Sequence, residues 1–256
     1  MDKQTFEQLR TLDEMPNQML IDSFNYQFAR KNDNYRLIVN ENVRPCFFSG
    51  DIETKGKIVT GSLNPSYTRQ NTEEEQAGMN FAEWYEFCRF RFKRYESDSI
   101  IHSTFKNLFK VITPQTIWNT TDKREYLQTN LLNLDWCFYY SKKFPSINFS
   151  NLPENLRYNI CETWEKNLNW LINISEPRYI FVHGKSIQNW VNRNTTELKC
   201  VMQLKNSRKQ PCSLFEGKFA NTAIPVYYLE HFINVANETI TLERINYFIN
   251  SGERNL

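Results

Sequence analysis

The chain has 256 residues, of which 40% are hydrophobic and 15% aromatic, so it is long and apolar enough to fold around a core and is not an intrinsically disordered protein. Its formal net charge is only +2, which means that any nucleic-acid surface has to be a local basic patch. The sequence shows no secretory signal and no apolar run long enough to span a bilayer. We therefore expect a cytoplasmic protein with no membrane partner, whose six cysteines are reduced thiols.

The first 42 residues predict a helical extension. Apolar residues recur at helical spacing from Asp2 to about Arg30, and Pro16 predicts a break into two pieces. Further along the chain, Asn80 is a candidate N-cap for a helix that begins at Phe81. A second helix is expected from about residue 100 to residue 111.

Four apolar segments predict buried strands, and helical patterns alternate with them. The strands are expected at Ile58–Val59, Leu127–Tyr140, Tyr179–Val182 and Ala223–Leu229. Helices are expected over Pro153–Ile172, from Gly184 onward and over Asn237–Ile249, and Leu198–Phe219 resembles a β-hairpin or a long loop. The alternation predicts an α/β fold, a three-layer α/β/α sandwich around a central, mostly parallel sheet of four to five strands. We expect residues 1–256 to form a single domain.

Polar residues follow or interrupt the predicted strands. Asn64 lies beyond the first strand, Asn130 and Asn133 fall in the second, and His183 and His231 follow the third and fourth. Because parallel strands present their carboxyl ends at one edge of a sheet, where open α/β sheets bind ligands, these residues are candidates for a common site. Each also has a structural interpretation, as a hydrogen-bonded residue that satisfies a neighbouring loop.

Several common site types are excluded. Gly184-Lys185-Ser186 resembles the end of a phosphate-binding loop, but Tyr179 occupies the position where that loop needs a glycine. The three histidines are not paired with cysteine or carboxylate at metal-ligand spacing, and no Gly-x-Ser-x-Gly elbow is present. The sequence therefore predicts neither a metal nor a cofactor.

The remaining motifs resemble the uracil-DNA glycosylase superfamily. Gly61-Ser62-Leu63-Asn64-Pro65-Ser66 is similar to the first motif of its mismatch-specific, thymine-DNA and single-strand-selective branches, which carry Gly-x-Asn-Pro there. His231-Phe232-Ile233-Asn234 resembles the second motif, a His-centred loop before the last helix. Tyr179–Lys185 and Leu131–Ser141 resemble the strand–Gly–helix unit and the base-reading strand. In this order the segments cover most of the chain from Gly50 to Ile249, and they imply a uracil-DNA glycosylase-like fold.

The resemblance implies a role for each site residue. Asn64 would orient the water that attacks C1′, and His231 would stabilise charge on the leaving base. Asn133 is the first candidate for hydrogen bonding to the edge of the base, and Asn130 is the second. The other base-binding candidates are Gly61, Leu63, Pro65 and Tyr67, the last by stacking. The DNA-binding candidates are Ser66, Ser141, Gly184, Lys185, Ser186 and Asn234, with Phe232 and Ile233 as the apolar wedge that fills the gap left by the flipped nucleotide.

Some features depart from the family pattern. The first motif has no carboxylate, and Asp51 and Asp135 are the nearest acidic candidates. Phe232 stands where a proline often follows the histidine, and residues 1–42 and 198–219 are additions to the compact members. Extra loops around the pocket would suit a bulky base, such as a glucosylated hydroxymethylcytosine of phage DNA. The run Arg89–Tyr95 suits a surface that tracks a DNA backbone, and equally an ordinary helix with one basic face.

The prediction is a monomeric, cofactor-free DNA glycosylase that acts on a modified pyrimidine in host or phage DNA. Three alternatives remain open. The first is a uracil or mismatch repair glycosylase. The second is a catalytically silent nucleic-acid-binding module on the same fold. The third is an enzyme that cleaves free nucleosides.

Overall fold

A computed structural model describes residues 2–40, 42–62, 73–94, 103–114, 123–145, 149–184, 187–205, 211–230 and 239–251. Within them helices and strands alternate along most of the chain, so the prediction of an α/β protein is confirmed. The helices are α1 Lys3–Glu14, α2 Gln18–Phe28, α3 Phe81–Arg89, α4 Arg91–Arg94, α5 Ser103–Ile112, α6 Lys123–Asn130, α7 Glu154–Ile160, α8 Lys166–Ser175, α9 Gln188–Asn194 and α10 Thr239–Ser251.

The strands form one mixed, mostly parallel sheet. They are β1 Ile58–Ser62, β2 Leu131–Asp135, β3 Tyr179–His183, β4 Thr195–Lys205, β5 Pro211–Phe219 and β6 Pro225–Leu229, in the spatial order β2-β1-β3-β6-β5-β4. β3 and β6 are parallel, whereas β5 is antiparallel to both β6 and β4. The sheet has six strands rather than the predicted four or five, because both strands of the predicted hairpin join its edge.

Capping residues set the bounds of the first helices. The Asp2 carboxylate accepts from the Thr5 N–H at the start of α1, and the Asn17 side chain accepts from the Leu20 N–H at the start of α2. The predicted break at Pro16 is confirmed by the gap between them. Asn80 and Glu83 form a reciprocal capping box at the start of α3, which confirms the predicted start of that helix.

The predicted helix over Pro153–Ile172 is confirmed with one local change. A π-helical turn, Cys161–Glu165, joins α7 to α8. Helix α8 ends at Ser175, and the C-cap residue Glu176 adopts a left-handed conformation with φ of 42°. The apolar residues that predicted this helix, such as Leu156, Trp164 and Leu171, are all buried.

Three predicted boundaries are wrong. Leu127 and Asn130 belong to α6 rather than to a strand, and β2 ends at Asp135 rather than at Tyr140. Gly184 does not open a helix, because α9 begins only at Gln188. Gly184 instead has a φ of 91°, which marks a turn after β3 that suits glycine.

The chain divides into two compact units. The first comprises Met1–Lys55, Gly61–Phe90 and Leu132–Glu176, and the second comprises Gly56–Thr60, Arg91–Leu131 and Pro177–Leu256. The division falls within β1 and β2. That residues 1–256 form a single domain stays a prediction.

The first unit is rich in aromatic contacts. Phe47 contacts the rings of Trp84 and Phe138 edge to face, at centroid distances of 5.6 and 5.1 Å. Trp164 contacts Phe24 and Trp136 in the same unit, at 5.6 and 5.4 Å. The N-terminal segment also forms antiparallel bridges between Ile38 and Tyr140 and between Ser49 and Asn133. This segment therefore pairs with β2 and with the chain that follows it.

The second unit buries an apolar core between β1, β3, β6, the hairpin and the helices α5 and α10. Its members include Ile58, Phe109, Phe181, Leu229 and Ile245. Helix α10 packs on α5, where the Asn246 amide nitrogen lies 2.8, 2.9 and 2.6 Å from the carbonyl oxygens of Lys110, Val111 and Thr113. One side chain thereby donates to carbonyl groups at the carboxyl end of α5.

Candidate functional site

The first strand begins at Ile58 as the sequence predicts, but it extends three residues beyond Val59. Gly61 and Ser62 close β1, and β1 lies between β2 and β3 in the sheet. The predicted residues that follow, namely Leu63, Asn64, Pro65, Ser66 and Tyr67, lie outside the described residues.

The neighbouring strand carries a buried polar pair. Asn133 is 8% exposed and Asp135 is 5% exposed. The Asn133 amide nitrogen donates to Asp135 Oδ1 at 3.4 Å. The two residues are two positions apart on β2, so they share one face of the strand. Leucines fill the remaining positions, Leu131, Leu132 and Leu134.

Ser49 fixes the backbone of Asn133. The Ser49 N–H donates to the Asn133 carbonyl at 2.8 Å, and the Asn133 N–H donates to the Ser49 carbonyl at 2.9 Å. Residues that exchange both bonds face each other directly in an antiparallel pair. Sequence reasoning missed Ser49, because no local pattern indicates a partner so far along the chain.

Asp51, one of the two acidic candidates, belongs to an ion-pair network. Its carboxylate accepts from Thr54 Oγ1 at 2.6 Å and from Arg89 Nε at 2.8 Å, and Arg89 also pairs with Glu53 at 3.0 Å. Burial alone would raise the pKa of Asp51, but the Thr54 hydrogen bond and the Arg89 charge outweigh it and hold the pKa below its usual value. The network ties the loop after Gly50 to α3, and it engages Arg89, the first residue of the predicted basic run.

Asn130 and Ser141 make local hydrogen bonds. Asn130 is the last residue of α6, not a strand residue, and its amide nitrogen donates to the Tyr126 carbonyl at 3.1 Å. Ser141 is 1% exposed, and its hydroxyl donates to the Lys143 carbonyl at 2.7 Å. In the described structure both side chains fix the backbone around β2. Their base-binding and DNA-binding roles stay predictions.

In the second unit the carboxyl ends of β3 and β6 meet. His183 pairs in register with Leu229, and the Gly184 N–H donates to the Leu229 carbonyl at 2.9 Å. Tyr228 Oη donates to the Gly184 carbonyl at 3.4 Å. Glu230 then pairs with Ser213 of β5, whose N–H donates to Glu230 Oε2 at 3.3 Å. These bonds hold the turn after β3 against the end of β6.

His183 is a neutral imidazole at physiological pH. Burial lowers its pKa to about 4, because desolvation disfavours the charged form. A neutral imidazole can both donate and accept a hydrogen bond. The candidates that follow these two strands in the sequence lie outside the described residues, namely Lys185, Ser186, His231, Phe232, Ile233 and Asn234.

Other properties of the described residues bear on function. They contain no group of three or more histidine, cysteine, aspartate or glutamate side chains that could hold a metal ion. None of the helices in these ranges has the length and apolarity that crossing a membrane requires. All six cysteines lie within the described ranges as reduced thiols.

Comparison with known proteins gives no relative: no family model matches the chain, and no curated protein matches its sequence.

Proposed function

We propose that the chain is a DNA glycosylase that flips a modified pyrimidine out of DNA and hydrolyses its N-glycosidic bond, leaving an abasic site. The observation that carries this proposal is the buried Asn133–Asp135 pair on β2, the strand beside the one that leads into Asn64 and Pro65. A flipped base is read by hydrogen bonds to its Watson–Crick edge, and an amide with a carboxylate offers both donors and acceptors for that purpose.

The proposed chemistry follows from the resemblance of the motifs around Asn64 and His231 to those of the uracil-DNA glycosylase superfamily. The bond between C1′ and the base nitrogen breaks with its electron pair leaving on the base, which gives an oxocarbenium-like sugar. A water held by Asn64 adds its oxygen to C1′, and its released proton balances the negative charge of the departing base. His231 stabilises that charge as it develops on the base. Asn64 cannot itself remove a proton, so its role is to position the water.

The remaining roles concern DNA. Phe232 and Ile233 fill the space of the extruded nucleotide, as apolar wedges do in proteins that unstack bases. Backbone N–H groups and hydroxyls near Ser66, Gly184, Lys185 and Ser186 hold phosphates, and Asn234 assists them. Water is the only co-reactant, so the reaction needs no cofactor. The protein acts as a monomer.

An abasic-site assay tests the proposal. Purified protein is incubated with oligonucleotides that contain uracil, 5-hydroxymethylcytosine or glucosylated 5-hydroxymethylcytosine, and alkali then cleaves the strand at any abasic site. We expect breaks at one modified base and a loss of at least about a hundredfold in Asn64→Ala, the size typical of losing one group that positions a reactant.

Asn40→Ala serves as the matched control. Asn40 is exposed, and its side chain accepts locally from the Asn42 N–H at 2.9 Å, so this variant should cleave like the wild type. Intact strands on all three substrates, with DNA still bound in a gel-shift experiment, would contradict the glycosylase proposal and favour a silent binding module. Release of bases from free nucleosides alone would favour a nucleoside-cleaving enzyme.

A further inference from the structure

One part of the first unit carries a concentrated positive charge. Two of its segments, residues 30–36 and 140–143, contain five basic residues and one acidic residue, Asp33, which gives them a net charge of +4. The whole chain has a net charge of only +2, so the rest of it is slightly acidic. All five basic residues are exposed, and together we call them the basic surface: Arg30, Lys31, Arg36, Lys142 and Lys143.

Backbone hydrogen bonds join the two segments. The Lys143 N–H donates to the Asn34 carbonyl at 2.9 Å, and the Ile38 N–H donates to the Tyr140 carbonyl at 2.8 Å. Ile38 and Tyr140 also form an antiparallel bridge. The five basic residues therefore extend from neighbouring stretches of backbone, although the two segments are far apart in the sequence.

Local contacts fix the shape of the backbone that carries the basic surface. The Ser141 hydroxyl donates to the Lys143 carbonyl at 2.7 Å and closes the turn of the second segment. Phe144, the next residue, packs on Phe24 of α2 with ring centroids 5.4 Å apart. In the first segment, Asp33–Tyr35 form a 3₁₀ helix. A preformed backbone lowers the entropic cost of binding, because only the side chains have to be ordered.

The protein itself neutralises little of this charge. Arg36 pairs with Asp33 at 2.7 Å, but the two side chains are 55% and 76% exposed, so solvent and salt weaken the pair. The Arg30 guanidinium lies 4.7 Å from the centre of the Tyr26 ring, a contact that leaves its charge in place. Within the described part of the chain, no carboxylate forms an ion pair with Arg30, Lys31, Lys142 or Lys143.

Helix electrostatics explains only part of the pattern. Arg30 and Lys31 follow the end of α2, where the helix dipole favours positive charge. Lys142 and Lys143 follow a β-bridge rather than a helix, so the dipole does not account for them. Like charges gathered on one surface repel one another, and a polyanionic ligand removes that repulsion.

We propose that the basic surface binds the phosphate backbone of DNA. Several exposed cations suit a polyanion, because each contact with a phosphate releases condensed counterions. Tyr26, which is 68% exposed beside Arg30, adds an aromatic ring of the kind on which single-stranded bases stack. The choice of DNA as the polyanion rests on the proposed glycosylase function. The basic surface adds to that function backbone contacts outside the two motifs around Asn64 and His231.

The salt dependence of DNA binding tests this inference. Fluorescence anisotropy gives the association constant for a labelled oligonucleotide of mixed sequence, as a single strand and as a duplex, between about 50 and 200 mM NaCl. The slope of the logarithm of this constant against the logarithm of the salt concentration reports the number of phosphates contacted. It is about −0.9 per contact on duplex DNA and about −0.7 on a single strand.

Lys142→Ala/Lys143→Ala removes two of the five charges. This double variant should bind DNA more weakly, with a slope shallower by about 1.8 on duplex DNA or about 1.4 on a single strand. Arg30→Ala/Lys31→Ala should have an effect of the same size. The matched control is Lys3→Ala/Lys166→Ala, which removes two exposed lysines, one from α1 and one from α8, and should leave the slope unchanged.

The outcomes separate this inference from the glycosylase proposal, because binding and abasic-site formation are measured independently on the same preparations. Unchanged slopes in both double variants, or an equal change in the control, would overturn the inference even if the wild type forms abasic sites. A wild type whose DNA affinity does not depend on salt would overturn it as well. Shallower slopes in both double variants, with no abasic site formed by the wild type on any modified base, would support the basic surface and overturn only the glycosylase function.

Discussion

Asp13 is a buried carboxylate whose charge depends on Arg44. Arg44 Nη1 pairs with Asp13 Oδ2, and its guanidinium also donates to the Met79 carbonyl, at 3.1 Å from Nη2. The Asp13 side chain is only 2% exposed and that of Arg44 24%. Burial raises the pKa of Asp13, although the charge and hydrogen bond of Arg44 act in the opposite direction. The pair anchors the end of α1 within the first unit.

Arg44→Ala should lower the free energy of unfolding by about 3 kcal/mol, because it leaves a buried carboxylate without its counter-charge. The measurement is urea unfolding at pH 7. Arg36→Ala is the matched control, since Arg36 and Asp33 form an ion pair with side chains 55% and 76% exposed, and its loss should cost less than about 0.5 kcal/mol. Equal effects of the two variants would contradict the structural role given to Arg44.

His183 predicts a pH dependence of stability. Its pKa is about 4 in the folded protein and ordinarily near 6.5, so between these values the unfolded chain binds a proton that the native state does not. Its contribution to stability is therefore complete above about pH 6.5 and is lost as the pH falls toward 4. The loss should reach roughly 2 to 3 kcal/mol, since partial exposure reduces it somewhat.

The measurement compares urea unfolding of the wild type and His183→Gln from pH 7.5 to pH 4. The difference between the two curves should be flat above pH 6.5 and should slope below it, with the wild type losing more stability. A flat difference over the whole range would show that His183 titrates normally in the folded protein.

At the scale of elements, the hairpin depends on a glycine opposite an irregular segment. β4 and β5 pair with a register shift between Thr196 and Lys199, and Gly217 lies on the facing strand. A methyl group added at Gly217 would lie 2.5 Å from Thr195 Cγ2 and 2.8 Å from the Thr196 carbonyl oxygen. Neither distance is tolerated without movement, and the second contact involves backbone.

Gly217→Ala should therefore destabilise the protein by about 1 to 3 kcal/mol, the usual cost of overpacking a filled site. Thermal unfolding followed by circular dichroism measures the change. Ser213→Ala on the same strand is the control, and its effect should be within about 0.5 kcal/mol. A wild-type melting temperature in Gly217→Ala would mean that β4 is not packed against Gly217 as described.

The elements also show where sequence reasoning succeeds. Pro16 and Asn80 are local signals, and they located the break between α1 and α2 and the start of α3, because a helix end is decided within a few residues. The predicted second strand begins at Leu127, earlier in the chain than β2 does, and this error also has a local cause. Leu127 and Leu131 belong to one apolar run that crosses from α6 into β2, with no glycine or proline to mark the junction.

At the scale of the whole molecule, alternating helices and strands predicted the α/β class and the mostly parallel sheet. They did not predict that the hairpin joins this sheet, since strand pairing depends on contacts between distant segments. The same limit applies to the site. Asn133 was predicted as a polar residue in the second strand and Asp135 only as a nearby acidic candidate, whereas the bonds between Ser49 and Asn133, and between Arg89 and Asp51, exist only in the folded chain. The motif residues Asn64 and His231 come from the resemblance and stay predictions.

The central claim is that this protein hydrolyses the bond between a DNA base and its sugar. The most direct measurement is mass spectrometry of the products formed in water enriched in ¹⁸O. The proposal predicts an intact free base without the label and an abasic strand whose sugar has gained one labelled oxygen, with at least about a hundredfold less of both products from Asn64→Ala. An unlabelled strand of unchanged mass in the presence of wild-type protein, on every modified pyrimidine tested, would contradict it.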